Sequence, residues 1–178
     1  TRTDTLFPYT TLFRSVAHPE RLTALAPDRA WDAPQEPGAG EALQRAVRDA
    51  LGQADPVNAD PSDSDERPPH PGDAAVSRAT AALRRAYRDR LTAIVADDLT
   101  SADPIEHVPT VCRRMTELAD AALDAALLVA RAVVGPRADD VALAVIAMGK
   151  TGARELNYIS DVDVVYVVAP AEGRQVPE

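Results

Sequence analysis

AVIAMGKTGARELNYISDVDVVYVV, residues 144–168, is the most informative stretch of this chain. It overlaps two apolar runs, residues 141–148 and residues 161–168, the second of which is rich in β-branched side chains. Runs of this length and composition are typical of strands that are buried on both faces. Residues 149–152 between them predict a tight glycine turn, and residues 153–158 are long enough for one or two turns of helix. The stretch therefore predicts two buried central strands connected through a turn and a short helix.

Two acidic residues, Asp161 and Asp163, stand at the start of the second run with Val162 between them. Successive side chains of a strand alternate faces, so this spacing predicts both carboxylates on one face, about 6 to 7 Å apart. Mg²⁺ in proteins is commonly held by one or two carboxylates together with substrate phosphates and water. The pair therefore predicts a magnesium site. The alternative is a solvated strand edge or turn, because Asp-x-Asp is a short pattern.

The glycine turn suggests phosphate binding. Gly149 and Gly152 lack a Cβ atom and so let backbone N–H groups approach a phosphate, while Lys150, the only lysine of the chain, adds a positive charge. The N-terminus of the short helix predicted after the turn also favours an anion. The alternative is an ordinary turn between a strand and a helix, because G-K-x-G matches neither the P-loop spacing nor the dinucleotide-binding spacing.

Upstream of this stretch, apolar residues recur every three or four positions between residues 74 and 135, which predicts an antiparallel pair of helices. Asp103, Pro104 and Glu106 predict the start of the second helix, as an N-cap, a first-turn proline and a capping-box glutamate. Gly135 followed by proline predicts its end. Aromatic residues make up only 4% of the chain, so we expect a core of small side chains.

The first 73 residues have a different composition. Residues 16–73 are rich in proline, and predict loops or a linker with one short, weakly packed helix near residues 41–51. Residues 1–15 contain TLFPYTTLFRS, which resembles a translated sequencing adapter and predicts an artefact with the natural N-terminus missing. The alternative for these fifteen residues is a genuine aromatic strand.

The overall composition restricts the function. A formal net charge of −9 argues against a nucleic-acid-binding surface, which needs clustered lysine and arginine. No run approaches the roughly 18 apolar residues that cross a membrane, and no secretory signal is recognisable. Cys112 is the only cysteine, which excludes an internal disulfide and is typical of a cytoplasmic protein. His18, His70 and His107 lie far apart, and we expect them to be ordinary surface residues.

The order of strand, G-K-x-G turn, short helix, Ser-Asp-x-Asp and strand resembles the DNA polymerase beta-like nucleotidyltransferase superfamily. Residues 144–168 more closely resemble the glutamine synthetase adenylyltransferase/adenylyl-removing family, whose pattern is an apolar strand, GMGK-x-G-x-x-E-L-x-x-x-S-D-x-D and a second apolar strand. Residues 83–99 and 118–132 also resemble the region before this motif in actinobacterial members. The resemblance implies an α+β fold, in which a helical N-terminal region precedes the truncated start of a mixed-sheet nucleotidyltransferase domain at residues 141–178.

The resemblance also implies roles for the motif residues. Asp161 and Asp163 are implied to bind Mg²⁺ and to be catalytic. Glu155 is either a structural residue of the short helix or reaches the site. The residues implied to contact phosphate or to orient the site are Gly149, Lys150, Gly152 and Ser160.

The family carries two such domains in one chain, and Glu155-Leu156-Asn157 resembles the first, adenylyl-removing domain. The implied reaction is phosphorolysis, in which phosphate attacks the adenylyl-tyrosine bond of modified glutamine synthetase and releases ADP. The same site geometry can also transfer an adenylyl group from ATP. The implied partners are glutamine synthetase, the nucleotide and a PII-type regulatory protein.

The end of the chain departs from the family pattern. Members supply a further acidic residue on a later strand, whereas only Glu172 and Glu178 follow the motif here. We therefore expect an incomplete metal site and no catalytic activity from these 178 residues alone. Two alternatives remain: another nucleotidyltransferase that acts on a small molecule or RNA, and a non-catalytic helical interaction module.

Overall fold

The computed structural model describes residues 38–52 and 72–173. Its elements, in chain order, are helices α1 (Ala39–Gly52), α2 (Asp73–Thr100) and α3 (Pro104–Val134), a 3₁₀ helix (Gly135–Asp140), strand β1 (Val141–Ala147), helix α4 (Gly149–Ala153) and strand β2 (Val164–Pro170). Helices come first and a small sheet last, which confirms the predicted α+β class. The adapter-like residues 1–15, the predicted loops at 16–37 and 53–71, and Glu178 lie outside the described residues.

Helix α1 is a full member of a three-helix bundle. It packs against both α2 and α3, and its residues Leu43 and Val47 are completely buried. The sequence predicted this helix close to its observed position, but the prediction that it is weakly packed is wrong. The reason is that Leu43, Val47 and Ala50 form one apolar stripe, which the two longer helices cover together.

Helices α2 and α3 form the predicted antiparallel pair. Only residues 101–103 connect them, and Asp97 near the end of α2 lies 2.9 Å from the His107 ring near the start of α3. The predicted N-cap is confirmed, because Asp103 accepts a hydrogen bond from the backbone N–H of Glu106 at 3.2 Å. The predicted end is confirmed as well, since α3 ends before Gly135, whose φ of 70° suits glycine.

Small side chains are prominent in the bundle core, as the composition predicted. Ala79 and Ala125 are completely buried, and Ala121 is 3% exposed. Leu118 and Met115 are among the larger side chains that fill the space between the helices. Small residues at the contacts let the helix backbones approach closely, so the core needs few aromatic rings.

Helix α3, with 31 residues, is long enough to cross a membrane by length alone. Its charged residues Glu117, Asp120 and Asp124 interrupt the apolar character of its central turns. Of the helices that the structure describes, none combines the length and the hydrophobicity of a membrane span.

Strands β1 and β2 pair as an antiparallel two-stranded sheet, with Val141 opposite Pro170 and Ala147 opposite Val164. Within the described residues this sheet has no third strand. The prediction of buried central strands is therefore wrong here: Ile146 is 48% exposed and Val165 47%. A strand is buried only when neighbours cover its edges and packed layers cover its faces. Of the predicted mixed sheet, the described residues contain only this antiparallel pair.

We expect Leu43→Ala to lower the free energy of unfolding by about 2–5 kcal/mol, because it leaves a cavity where α1 meets the other helices. The matched control is Leu99→Ala on α2, where the side chain is 69% exposed and the cost should stay below about 0.5 kcal/mol. Urea unfolding followed by circular dichroism measures both values. Equal losses for the two variants would contradict the packing of α1 within the bundle.

Candidate functional site

The glycine turn and the second aspartate lie side by side. The backbone N–H of Met148 donates to the carbonyl oxygen of Asp163 at 2.9 Å, which extends the β1–β2 pairing by one residue on each strand. Gly149 follows with a φ of +51°, and a Cβ atom built on it would lie 3.3 Å from Asp163 Oδ2. The fold thus brings Gly149 and Asp163 into contact, although 14 positions separate them in the sequence.

Glycine is required at position 152 because the end of the preceding strand lies close to it. A Cβ atom at this position would lie 2.6 Å from the carbonyl oxygen of Ala147, which is closer than real Cβ atoms come to backbone. The backbone N–H of Gly152 donates to the carbonyl oxygen of Met148 at 3.0 Å. Gly152 therefore lets the chain fold back tightly onto the end of β1.

The short helix lies earlier than the sequence predicted. Helix α4 consists of the glycine turn itself, Gly149–Ala153, rather than of residues 153–158. It ends at Arg154, which adopts the left-handed conformation with a φ of 59°, and the backbone N–H of Glu155 donates to the carbonyl oxygen of Lys150 at 2.8 Å. The close approach at Gly152 explains the shift, because the chain coils immediately after β1. The side chains of Lys150 and Glu155 are exposed.

Asp161 and Asp163 precede the strand on which the sequence placed them. Strand β2 begins at Val164, and both aspartates are exposed in the irregular segment before it. The alternation of side chains along a strand therefore does not orient this pair. The hydrogen bond from Met148 holds the backbone of Asp163 in place instead, and Asp161 lies two residues earlier in the loop.

Ser160 makes its described contacts within its own loop. Its hydroxyl donates to Asn157 Oδ1 at 2.9 Å and accepts the backbone N–H of Asn157 at 3.3 Å. The backbone N–H of Ile159 also donates to Asn157 Oδ1, at 3.1 Å. The sequence pattern assigned no role in this turn to Asn157, although asparagine side chains commonly bond to the backbone two residues on. Ser160 and Asn157 together shape the turn that leads into the two aspartates.

Two further motif residues, Leu156 and Tyr158, attach this loop to the helical bundle. Leu156 is 3% exposed and belongs to the same core cluster as Leu43. The Tyr158 hydroxyl donates to Asp98 Oδ2 of α2 at 2.7 Å. Burial raises the pKa of the Tyr158 hydroxyl well above its ordinary value of 10.0, and the hydrogen bond and charge of Asp98 raise it further. The hydroxyl therefore stays protonated, and able to donate, at neutral pH.

The sequence pattern did not predict that Leu156 and Tyr158 attach the loop to the bundle. The available signal was the presence of an apolar and an aromatic side chain in a segment that the sequence otherwise predicts as a turn and short helix. Burial of such side chains against another surface stabilises the fold. The sequence does not specify which surface that is, because Asp98 lies 60 positions upstream of Tyr158.

A charged cluster joins the end of α2 to the start of α3 beside this attachment. Asp97 Oδ2 lies 2.9 Å from His107 Nε2 and forms an ion pair with Arg114. The three side chains are partly buried. The prediction that His107 is an ordinary surface residue is therefore wrong, because the short connection between the helices places its ring opposite Asp97.

Within the described residues, the metal donors proposed for this site are two side chains. The part of the chain that the structure describes contains no group of three or more histidine, cysteine, aspartate and glutamate side chains arranged to hold a metal ion. Asp161 and Asp163 supply carboxylate oxygens, which are the donors that Mg²⁺ prefers. Glu172 is exposed beyond the end of β2. The donor set fits Mg²⁺ when phosphates and water complete its coordination.

Comparison with known proteins gives a consistent family match. A family model described as glutamate-ammonia ligase adenylyltransferase matches residues 35–177 of the chain. The chain is 47% identical over 97 residues to a bifunctional glutamine synthetase adenylyltransferase/adenylyl-removing enzyme of Bifidobacterium longum, a match that covers 54% of this chain and 9% of the relative. No solved structure matches the chain.

Two further relatives carry the same description. The one from Nocardia farcinica is 54% identical over 98 residues, which cover 53% of this chain and 10% of the relative. The one from Corynebacterium glutamicum is 52% identical over 102 residues, which cover 52% of this chain and 10% of the relative. The chain therefore spans about a tenth of the length of the curated relatives it matches.

We expect Gly152→Ala to lower the free energy of unfolding by about 1–3 kcal/mol, the usual cost of forcing an extra methyl group into a packed site. Gly40→Ala in α1 is the matched control, because nothing lies within 4 Å of a Cβ atom built there. Alanine is the better helix former, so this second change should raise the free energy of unfolding by up to about 1 kcal/mol. Urea unfolding measures both, and changes of the same sign would contradict the role of Gly152.

Proposed function

Because this chain belongs to the glutamate-ammonia ligase adenylyltransferase family, we propose that it is the part of a glutamine synthetase-modifying enzyme that binds a nucleotide with Mg²⁺. The proposed site lies between the turn at Gly149 and Lys150 and the loop that carries Asp161 and Asp163. The activity of the whole enzyme is also part of the proposal, because the chain spans only about a tenth of the relatives' length.

The observation that carries the proposal is the contact between Gly149 and Asp163. A side chain at Gly149 would occupy the space beside Asp163 Oδ2, where a Cβ atom would lie at 3.3 Å. Glycine leaves that space open, so a group held at the turn can approach the carboxylate. The juxtaposition supports a site in which a phosphate at the turn and a cation at the aspartates share oxygen ligands.

In the proposed complex, Asp161 and Asp163 bind Mg²⁺, and Lys150 neutralises part of the phosphate charge. Bound Mg²⁺ supplies stabilisation of the negative charge that develops on phosphate oxygens during phosphoryl transfer. The exposed position of both carboxylates leaves them accessible to a ligand that arrives from solvent.

Two other residues of the predicted set contribute to the site through its shape. Gly152 lets α4 coil directly against the end of β1, which fixes where Lys150 leaves the backbone. Ser160 closes the turn with Asn157 that precedes Asp161. We propose that both residues orient the groups that contact the nucleotide.

For the reaction, we propose removal of an adenylyl group by phosphorolysis. Phosphate attacks the phosphorus of the adenylyl-tyrosine, and the bond from phosphorus to the tyrosine oxygen breaks. The products are ADP and the unmodified tyrosine side chain of the protein. This choice follows from Glu155-Leu156-Asn157, which resembles the adenylyl-removing domain of the family. Adenylyl transfer from ATP, with release of diphosphate, uses the same kind of site and is the other activity in the names of the relatives.

The proposed partners follow from the same relatives. Their names identify glutamine synthetase as the protein that is modified, and we propose it as the protein substrate here. A PII-type regulatory protein and a cytoplasmic location complete the proposal. The relatives' names favour this substrate over a small molecule or RNA, and metal-dependent nucleotide binding separates the proposal from a non-catalytic helical interaction module.

Isothermal titration of ATP into the 178-residue chain tests the site. We expect binding heat with Mg²⁺ present and none with EDTA. The double variant Asp161→Asn/Asp163→Asn should bind at least about tenfold more weakly, as is usual when metal-coordinating groups are disturbed. The matched control, Asp49→Asn/Asp73→Asn, removes the same number of charges from exposed positions of α1 and α2 and should leave the affinity unchanged.

The titration distinguishes the candidate functions. Absence of any Mg²⁺-dependent heat would contradict the proposed site and favour the interaction module. Equal losses in the two double variants would show that net charge alone, rather than these two positions, determines nucleotide binding.

A turnover assay tests the expectation of inactivity. We expect the 178 residues alone to release no ADP from adenylylated glutamine synthetase and phosphate, because the described residues contain no third metal-binding side chain beside the aspartate pair. ADP formation is measured by chromatography, with the intact enzyme as the positive control. Turnover at a rate comparable to that of the intact enzyme would contradict this expectation.

A further inference from the structure

The loop of residues 156–163 is held at two points. At its far end, the carbonyl oxygen of Asp163 accepts the backbone N–H of Met148 at 2.9 Å. At its near end, Leu156 is buried in the bundle core and the Tyr158 hydroxyl donates to Asp98 Oδ2 at 2.7 Å. Asp161 lies between these two points, three residues after Tyr158.

Local hydrogen bonds connect the near end of the loop to the residues that precede Asp161. Asn157, next to Tyr158, receives the backbone N–H groups of Ile159 and Ser160 at 3.1 and 3.2 Å. The Ser160 hydroxyl also bonds to Asn157 Oδ1. Residues 157–160 therefore form one bonded turn, and Asp161 follows it directly.

The acceptor at Asp98 is itself well fixed. Its neighbour Asp97 contacts His107 and Arg114 of α3, so this end of α2 is cross-linked to the next helix. The charge of Arg114 also acts on Tyr158, whose hydroxyl remains protonated because burial and Asp98 both raise its pKa. A hydrogen bond to such a charged acceptor is stronger than one between neutral groups.

We propose that Tyr158 is a positioning residue for the metal-binding aspartates, and that its hydrogen bond to Asp98 fixes their loop to the helical bundle. Tyr158 acts through the turn at Asn157 and touches neither metal nor nucleotide. That Tyr158 fixes the loop follows from the described contacts alone. That this raises the affinity for metal rests on the proposed function.

The test compares three single variants of the full chain. Tyr158→Phe removes the hydroxyl and keeps the buried ring. Asp98→Asn removes the charge but keeps an oxygen that can accept the hydrogen bond. Tyr87→Phe is the matched control, because it deletes the same atom from a ring that packs against the bundle core from α2.

Hydrogen exchange of the backbone amides of Asn157, Ile159 and Ser160, followed by NMR, is the first measurement. We expect Tyr158→Phe to speed their exchange by roughly tenfold, the order of effect of losing one hydrogen bond to a charged group. Asp98→Asn should retain most of the protection, and Tyr87→Phe should leave it unchanged. Amides of α3 should exchange at the wild-type rate in all three variants, which excludes general destabilisation as the cause.

The affinity of the chain for Mg²⁺ with ATP, from the same titration as above, is the second measurement. We expect Tyr158→Phe to weaken binding by about threefold to tenfold, at or below the usual effect of losing a group that bonds directly to a metal ligand. Asp98→Asn should retain most of the affinity, and Tyr87→Phe should match the wild type.

Different outcomes of the two measurements contradict different parts of the proposal. Unchanged exchange at Asn157, Ile159 and Ser160 in Tyr158→Phe would overturn the positioning role, whatever the affinity. Faster exchange with unchanged Mg²⁺–ATP affinity would overturn its link to the metal site. A wild-type chain that shows no Mg²⁺-dependent binding would overturn the proposed function, and the exchange rates would then decide the mechanical part by themselves.

Discussion

Burial of Leu156 in the core of the three-helix bundle is the contact on which the geometry of the site depends. The strand pair has few other means of support, because a two-stranded sheet is only marginally stable by itself in water. Its other attachments are the hydrogen bond from Tyr158 to Asp98 and the 3₁₀ helix after α3, where Ala138 is buried and Arg131 pairs with Asp139. Leu156 lies between the glycine turn and the aspartates, so its burial orients both with respect to the helices.

The sheet itself is poorly covered, and its composition makes this costly. Neither β1 nor β2 contains a charged residue, and most of their side chains are exposed. One face looks towards α3 across a cavity of about 330 Å³, lined by Leu127, Val145 and Tyr166 among others. Uncharged, β-branched strands with open edges readily pair with other strands. The apolar runs identify these strands in the sequence. They also mean that the strands are stabilised only when other elements pack against them.

The sequence was most informative where a local rule determines the outcome. The N-cap at Asp103 and the glycine that ends α3 depend on neighbouring residues only, and both were predicted correctly. The motif of residues 144–168 identified the family, because its spacing is specific. The packing of α1 was not predictable in this way, since it depends on two helices that meet it in space.

Errors near the site arose from contacts between distant residues. With Gly152 close to the carbonyl oxygen of Ala147, the short helix begins earlier in the chain than predicted. Strand β2 begins later than predicted, at Val164. The spacing of Asp161 and Asp163 suggested a shared strand face, whereas a hydrogen bond from Met148 positions the second of them. Asp163 lies near the glycine turn for a different reason from the one that the pattern suggested.

Charge adds a last constraint on how a nucleotide can bind here. Residues 149–163 carry two basic side chains, Lys150 and Arg154, and three acidic ones, Glu155, Asp161 and Asp163. The segment is therefore net negative within a chain whose formal charge is −9, and by itself it repels phosphate. Within the proposed function, one divalent cation at the aspartates reverses the local sign, because two positive charges outweigh the excess of one negative charge. Nucleotide and metal must then bind together, since each supplies the charge that makes the other's place favourable.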